Sequence, residues 1–197
     1  MKGEKTKQKL FATAARLFSE HDFRHVTVDR IVEEAGVAKG TFYIYFDSKD
    51  ALIAAFLSDY VSKVDMGYRA VLDGVPPEAP SDDVLLALIG KIADTLTDII
   101  GLSSMKTVYQ LMLTEDVDMH AVKEYERGLY QIFVDVLERG IKKGEFRSNL
   151  PLHELSRHLV MAIRGLCYEW CIRYPDFDLR AQALTHFQIL LDGIKAR

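Results

Sequence analysis

Residues 26–49 read VTVDRIVEEAGVAKGTFYIYFDSK, and the rest of the chain takes its meaning from them. Thr27 is a good N-cap, because its hydroxyl can accept from an amide left without a partner in the first helical turn. Val28, Ile31, Val32 and Ala35 recur at helical spacing and give one apolar face. Gly36 follows Ala35, where a helix ends cleanly on a residue that tolerates a left-handed conformation. Val37 plugs the turn, and a second helix covers about residues 38–46. The pattern is a helix-turn-helix, a motif whose second helix lies in the major groove of DNA.

What the second helix exposes is unusual. Phe42 and Phe46, four apart, face inward as anchors, which leaves Lys39, Gly40, Thr41, Tyr43, Ile44 and Tyr45 outside. Lys supplies charge, hydroxyls donate to phosphate oxygens, and Gly40 lets backbone approach backbone. An ordinary helical hairpin with surface tyrosines is the alternative. So many aromatic and apolar side chains within a few residues are costly as a bare surface, so a partner is favoured.

The run GVAKGTFYIYFDSKDAL, starting at Gly36, resembles the signature of the TetR family of bacterial one-component regulators. The matching positions are Gly36, Lys39, Gly40, Thr41, Phe42, Tyr43, Tyr45, Phe46, Ser48 and Lys49. Ala38 stands where Ser is common, and Ile44 where Tyr or Trp is often seen. Both departures bear on which bases are read. The resemblance implies an all-α dimer: a three-helix head over residues 1–47 that binds DNA, and a helical body over residues 48–197 that binds an effector and dimerises. It implies DNA contacts from Thr27, Lys39, Thr41, Tyr43, Tyr45 and Lys49, close approach at Ala38 and Gly40, and contact of Ile44 with a thymine methyl.

Composition agrees without announcing any of this. The chain has 197 residues, 49% hydrophobic and 27% charged, which fits a soluble globular protein with ample core. Apolar residues recur at three and four almost throughout, so the reading is all-α. Net charge is −4, unevenly spread: the first 50 residues hold nine Lys or Arg against eight Asp or Glu, and the remainder 16 against 21. The positives of the head sit in the tail (Lys2, Lys5, Lys7, Lys9) and at Lys39 and Lys49, while an acidic body helps aim the head at DNA. Lysines followed by LFATAA imitate a signal peptide, but the apolar stretch is too short and Arg16 breaks it. No stretch approaches the roughly 18 apolar residues of a membrane span, and Cys167 and Cys171 read as reduced thiols of a cytoplasmic chain.

In chain order, the expected body helices are a long one from Ser48 toward Leu72, one from a Ser81 cap to Ile100, a shorter one over residues 103–113, a continuous one over residues 119–143, and two last ones over residues 152–174 and about 179–195. With the head, about nine helices result. Residues 1–5 are expected to fray, and Phe23 to plug the turn after the first helix. The last two helices are apolar on more than one face, which points to burial on both sides. A homodimer through Leu159, Ile163, Leu184, Phe187 and Leu191 follows, and the resemblance implies a dimer as well.

No catalytic constellation survives. His153, Glu154 and His158 mimic a zinc-protease motif, but five residues rather than four separate the histidines, turning the second about 140° off the face. Cys167 and Cys171 lack further metal ligands nearby, so core cysteines are favoured. No metal, no cofactor and no enzymatic activity are expected. The resemblance also implies a small-molecule effector within the body. Its candidate contacts are Met105, Tyr109, Met112, Tyr125, Phe133, Cys167 and Trp170, since Met and aromatic residues repack around varied apolar guests. Arg164, among apolar neighbours, is a candidate for an anionic group. The expectation is a ligand-responsive repressor binding a palindromic operator in double-stranded DNA as a homodimer, with no membrane partner. The alternative is a helical carrier protein that has lost operator binding.

Overall fold

The structure, a computed structural model, describes residues 2–21, 25–114, 117–147 and 149–196. The plug expected at Phe23 lies outside them. Ten α-helices follow in order: α1 (Lys2–Glu20), α2 (Val28–Ala35), α3 (Lys39–Tyr45), α4 (Lys49–Asp73), α5 (Ser81–Asp94), α6 (Leu102–Thr114), α7 (His120–Lys123), α8 (Gly128–Lys142), α9 (Leu152–Arg173) and α10 (Leu179–Ile194). A π-helical segment, Thr95–Ile100, extends α5. No strand occurs among the described residues, only an isolated bridge between Phe146 and Lys195. No helix among them is long and apolar enough to cross a membrane. The chain divides into two units, Met1–Val61 with Ser103–Val122, and Ser62–Leu102 with Lys123–Arg197.

The first unit is built as the local sequence dictates. Thr27 Oγ1 accepts from Arg30 N at 3.2 Å and starts α2. Gly36 stops it at φ 59°, in the left-handed region, with its N–H on the carbonyls of Glu33 and Val32. Leu10, Ala14 and Leu17 of α1, Ile31, Val32 and Ala35 of α2, Phe42 and Phe46, and Leu52 of α4 form one core, against which Val37 packs. Phe46 meets Phe42 at 5.6 Å and Phe11 at 5.3 Å between ring centres. Ser48 Oγ caps α4 by accepting from Ala51 N at 3.0 Å. A second cluster joins Ile53 to Leu111, Val117 and Met119. α1 begins at Lys2, so residues 2–5, expected to fray, belong to a helix.

In the second unit α5 packs on α8 and α10, and α9 on α8 and α10. Three local expectations change there. Ser81 is the first residue of α5 rather than its cap, and its N–H donates to Glu145 Oε2 at 2.9 Å from 64 residues away. The Ser81 side chain first, and then this backbone bond, hold the Glu145 carboxyl below its usual range. The helix expected to run unbroken over residues 119–143 divides into α7 and α8. The break follows from Asp65 of α4: its carboxylate takes Arg127 Nε at 3.0 Å and Nη2 at 2.7 Å, and also accepts Leu129 N at 3.2 Å. A distant carboxylate thereby caps a new helix start, and Gly128 leaves it room: a Cβ there would lie 3.3 Å from Asp65 Oδ2. Gly140 of α8 is likewise a packing position, since a Cβ on it would run into the Phe146 ring.

Candidate functional site

The core of the first unit fixes which side of α3 is free. Phe42 is fully buried and Phe46 is 5% exposed, so the two anchors are spent inward. Tyr43 and Ile44 are 49% and 75% exposed, and Ala38, Lys39 and Gly40 are exposed beside them. Thr41, Tyr45 and Lys49 are half-buried, and Thr27 is exposed at the head of α2. A Cβ on Gly40 would meet nothing within 4 Å. The protein itself has no steric need for glycine there, although glycine inside a helix costs about 0.5–1 kcal/mol relative to alanine. Whatever requires a bare backbone at Gly40 therefore lies outside this chain.

The electrostatics of the face are poised rather than strongly positive. Lys39 Nζ contacts Asp29 Oδ1 of the first turn of α2 at 2.6 Å, with both side chains more than half exposed. That bond, and then the carboxylate field, raise the ammonium above its ordinary range, so Lys39 stays charged at any physiological pH. Thr27 accepts from its own helix, which leaves its hydroxyl proton to be donated outward. Tyr43 stands edge-on to Phe42 at 5.3 Å, a contact that steadies an exposed ring.

α1 extends the face, which sequence reasoning had registered only as tail charge. A Cβ on Gly3 would lie 3.1 Å from Tyr45 Oη, and one on Gly36 3.6 Å from Lys9 Nζ. The Lys9 ammonium thus stands at the turn between α2 and α3. The lysines of the tail were visible in the sequence, but not that a helix brings Lys9 to the turn of the motif.

The expected effector residues are divided between the two units. Met105, Tyr109 and Met112 fall in the first unit, whereas Tyr125, Phe133, Arg164, Cys167 and Trp170 fall in the second. Met105, Phe133, Cys167 and Trp170 are buried, Tyr109, Met112 and Arg164 are half-buried, and Tyr125 is exposed on the surface. Among the described residues no group of three His, Cys, Asp or Glu side chains is placed to hold a metal ion.

Four of the residues expected at a dimer interface are buried within the single chain. Leu159 and Ile163 are 3% exposed and Phe187 and Leu191 fully buried within the single chain, leaving Leu184 half-buried. The four buried side chains pack in the core of their own chain, and Leu184 keeps part of its surface. The stripe that α9 leaves open is Met161, Tyr168 and Ile172, 59%, 43% and 57% exposed, with exposed Gly165 between them. On α10 the exposed apolar residue is Ile189.

A helix-turn-helix whose second helix turns a basic, hydroxylic and aromatic face to solvent defines a DNA-binding protein. Comparison with known proteins narrows the class. The family described as bacterial regulatory proteins, tetR family, matches residues 10–56. The HTH-type transcriptional repressor KstR2 of Rhodococcus jostii is 25% identical over 94% of this chain and 89% of its own length. The fatty acid metabolism regulator protein of Bacillus subtilis is 24% identical over 92% and 91% of the two chains. The solved Bacillus subtilis regulator FadR in complex with stearoyl-CoA shares the fold, with a TM-score of 0.73 at 19% identity over 95% of this chain and 98% of that one. Residues 10–56 thus match the DNA-binding domain of that family, and the chain resembles its regulators along most of its length. It is a DNA-binding transcriptional regulator rather than an enzyme.

Proposed function

We propose that the protein represses transcription by placing α3 of each protomer in successive major grooves of a palindromic operator, with residues 1–47 as the DNA-binding head and residues 48–197 as the effector and dimerisation body. Lys39, Thr41, Tyr43, Tyr45, Thr27 and Lys49 hold phosphates and some base edges, Ala38 and Gly40 permit close approach, and Ile44 meets a thymine methyl. The observation that carries this reading is the empty space around Gly40 beside the exposed Tyr43 and Ile44. The two recognition helices then stand about one DNA turn (~34–36 Å) apart or a multiple of it. The dimer forms through the open stripe of Met161, Tyr168 and Ile172 on α9. The protein works in the cytoplasm, where bacterial operators lie.

We take the effector to be a long-chain acyl compound seated against α8 and α9, where Phe133, Cys167 and Trp170 supply an apolar wall. Two observations support that class: the relative that regulates fatty acid metabolism, and the neighbouring fold solved with stearoyl-CoA. Induction requires the effector to favour the DNA-incompetent state, with a coupling of about 1–3 kcal/mol.

Selection of bound duplexes from a random DNA pool tests the reading, with the mass of the complex measured in parallel. A palindrome bound by dimers is the expected result. A flat selection from a folded dimer overturns it and favours the carrier alternative.

A further inference from the structure

α1 carries charges that its own fold does not use. Lys5 and Lys9 lie four apart, so they share a side of the helix, and both are exposed. Like charges at that spacing repel, and Lys5 stands near the helix N-terminus, where the peptide dipoles also disfavour a cation. No neighbour on the helix offsets these costs, because no position three or four residues from either lysine is Asp or Glu. Neither lysine makes an ion pair among the described residues. The other described cations of residues 1–47 are matched: Arg16, Arg30 and Lys39 each hold a carboxylate, and Lys7 lies over the Phe11 ring.

Their placement says what takes up the charge. A Cβ on Gly36 would lie 3.6 Å from Lys9 Nζ, so that ammonium stands at the turn leading into α3. A Cβ on Gly3 would lie 3.1 Å from the hydroxyl of Tyr45, the last residue of α3. The first part of α1 therefore meets both ends of α3, and Lys5 falls in the sequence between these two contacts. The bare charges lie beside the helix that enters the major groove, and the anion that borders that groove is the sugar–phosphate backbone.

We infer that Lys5 and Lys9 each hold a backbone phosphate beside the groove that α3 enters, contacts that add affinity without reading bases. The inference rests on the reading of residues 1–47 as a DNA-binding head, and it extends the grip of that head to a helix outside the helix-turn-helix. Two protomers contribute two phosphates each, four in all, and every counterion so released steepens the dependence of affinity on salt.

Anisotropy titration of the selected operator and of a scrambled duplex with the full-length protein, between about 50 and 200 mM salt, tests it. Lys5→Gln combined with Lys9→Gln should make the slope of log K against log salt shallower by about 3 to 4, since each phosphate contributes ~0.9. At about 100 mM salt affinity should fall roughly 10²- to 10³-fold on both duplexes alike, leaving their ratio unchanged. Lys5→Arg with Lys9→Arg should keep the wild-type slope. The glutamine variant should unfold no earlier than the wild type in denaturant, because it breaks no ion pair and relieves a like-charge repulsion. Lys106→Gln with Lys123→Gln removes the same charge from exposed positions of α6 and α7 and should leave the slope unchanged. The inference is overturned if the α1 variant keeps the wild-type slope, if the α6 and α7 variant loses as much, or if only the operator is weakened while the scrambled duplex binds as before. Duplex selection reads the regulator assignment separately. A flat selection removes that assignment and this inference with it, whereas a palindrome bound with the wild-type slope by the α1 variant removes the inference alone.

Discussion

Two ion pairs of nearly the same length serve opposite ends. Lys39 and Asp29 approach to 2.6 Å with side chains 55% and 70% exposed, whereas Arg127 and Asp65 approach to 2.7 Å with side chains 12% and 11% exposed. Water and salt screen the first pair, so its Coulomb gain is small and it exchanges partners readily. The second has lost its water, so each charge depends on the other. One is a contact that a DNA phosphate can replace on arrival, and the other is a joint of the fold. Distance alone would rank them together; solvation separates function from architecture.

The largest expected effect is at the joint. Asp65→Ala strands the Arg127 guanidinium and uncaps Leu129 N, and a broken buried pair of this kind costs about 3–5 kcal/mol. Denaturant unfolding should show that loss, with Asp65→Asn falling between the variant and the wild type because one acceptor oxygen remains. An Asp65→Ala protein as stable as the wild type would show that the pair carries no more weight than its exposed counterpart. At the other pair the ranking inverts. Lys39→Ala combined with Tyr43→Ala should abolish the operator shift while leaving the unfolding midpoint and the dimer mass unchanged. The wild-type complex itself should weaken steeply with salt, about 10³-fold or more between 50 and 200 mM for six or so phosphate contacts.

Much of the first unit was legible because its instructions are local. Thr27 caps the helix it begins, Gly36 ends it at positive φ, and Phe42 and Phe46 lie four apart on one buried side. The second unit was less legible because its decisive partners are remote. Glu145 supplies the acceptor at Ser81 from 64 residues away, and Asp65 sets the start of α8 across 62 to 64 residues. Periodicity read straight through that break, since Val122, Tyr125 and Leu129 keep helical spacing across it. Two-faced helices raise a further ambiguity: Leu159 and Ile163 pattern as an apolar stripe as well as Met161, Tyr168 and Ile172 do, and spacing cannot say which stripe the chain keeps for itself.

Gly40→Ala probes the exposed face without touching either ion pair. With nothing within 4 Å of the new methyl group, the isolated protein should gain up to about 1 kcal/mol from better helix propensity. Operator affinity should fall if α3 approaches the DNA backbone at Gly40 as proposed. A gain in stability with undiminished DNA binding would show that α3 does not approach DNA at this position.

The smallest effect sharpens the comparison most. Asp29→Asn removes the carboxylate that Lys39 must leave when a phosphate arrives, and it also removes a negative charge from the DNA-facing surface. Operator affinity should rise a few-fold at low salt, and the gain should shrink as salt is added, since both contributions are screened. Folding stability should move the other way, slightly, because Asp29 sits in the first turn of α2, where a negative charge complements the helix dipole. Affinity and stability measured on the one variant therefore carry opposite signs if the exposed pair is a placeholder for DNA. Were affinity to fall with stability, Asp29 would be positioning Lys39 for its phosphate rather than competing for it, and the exposed pair would belong to the architecture after all.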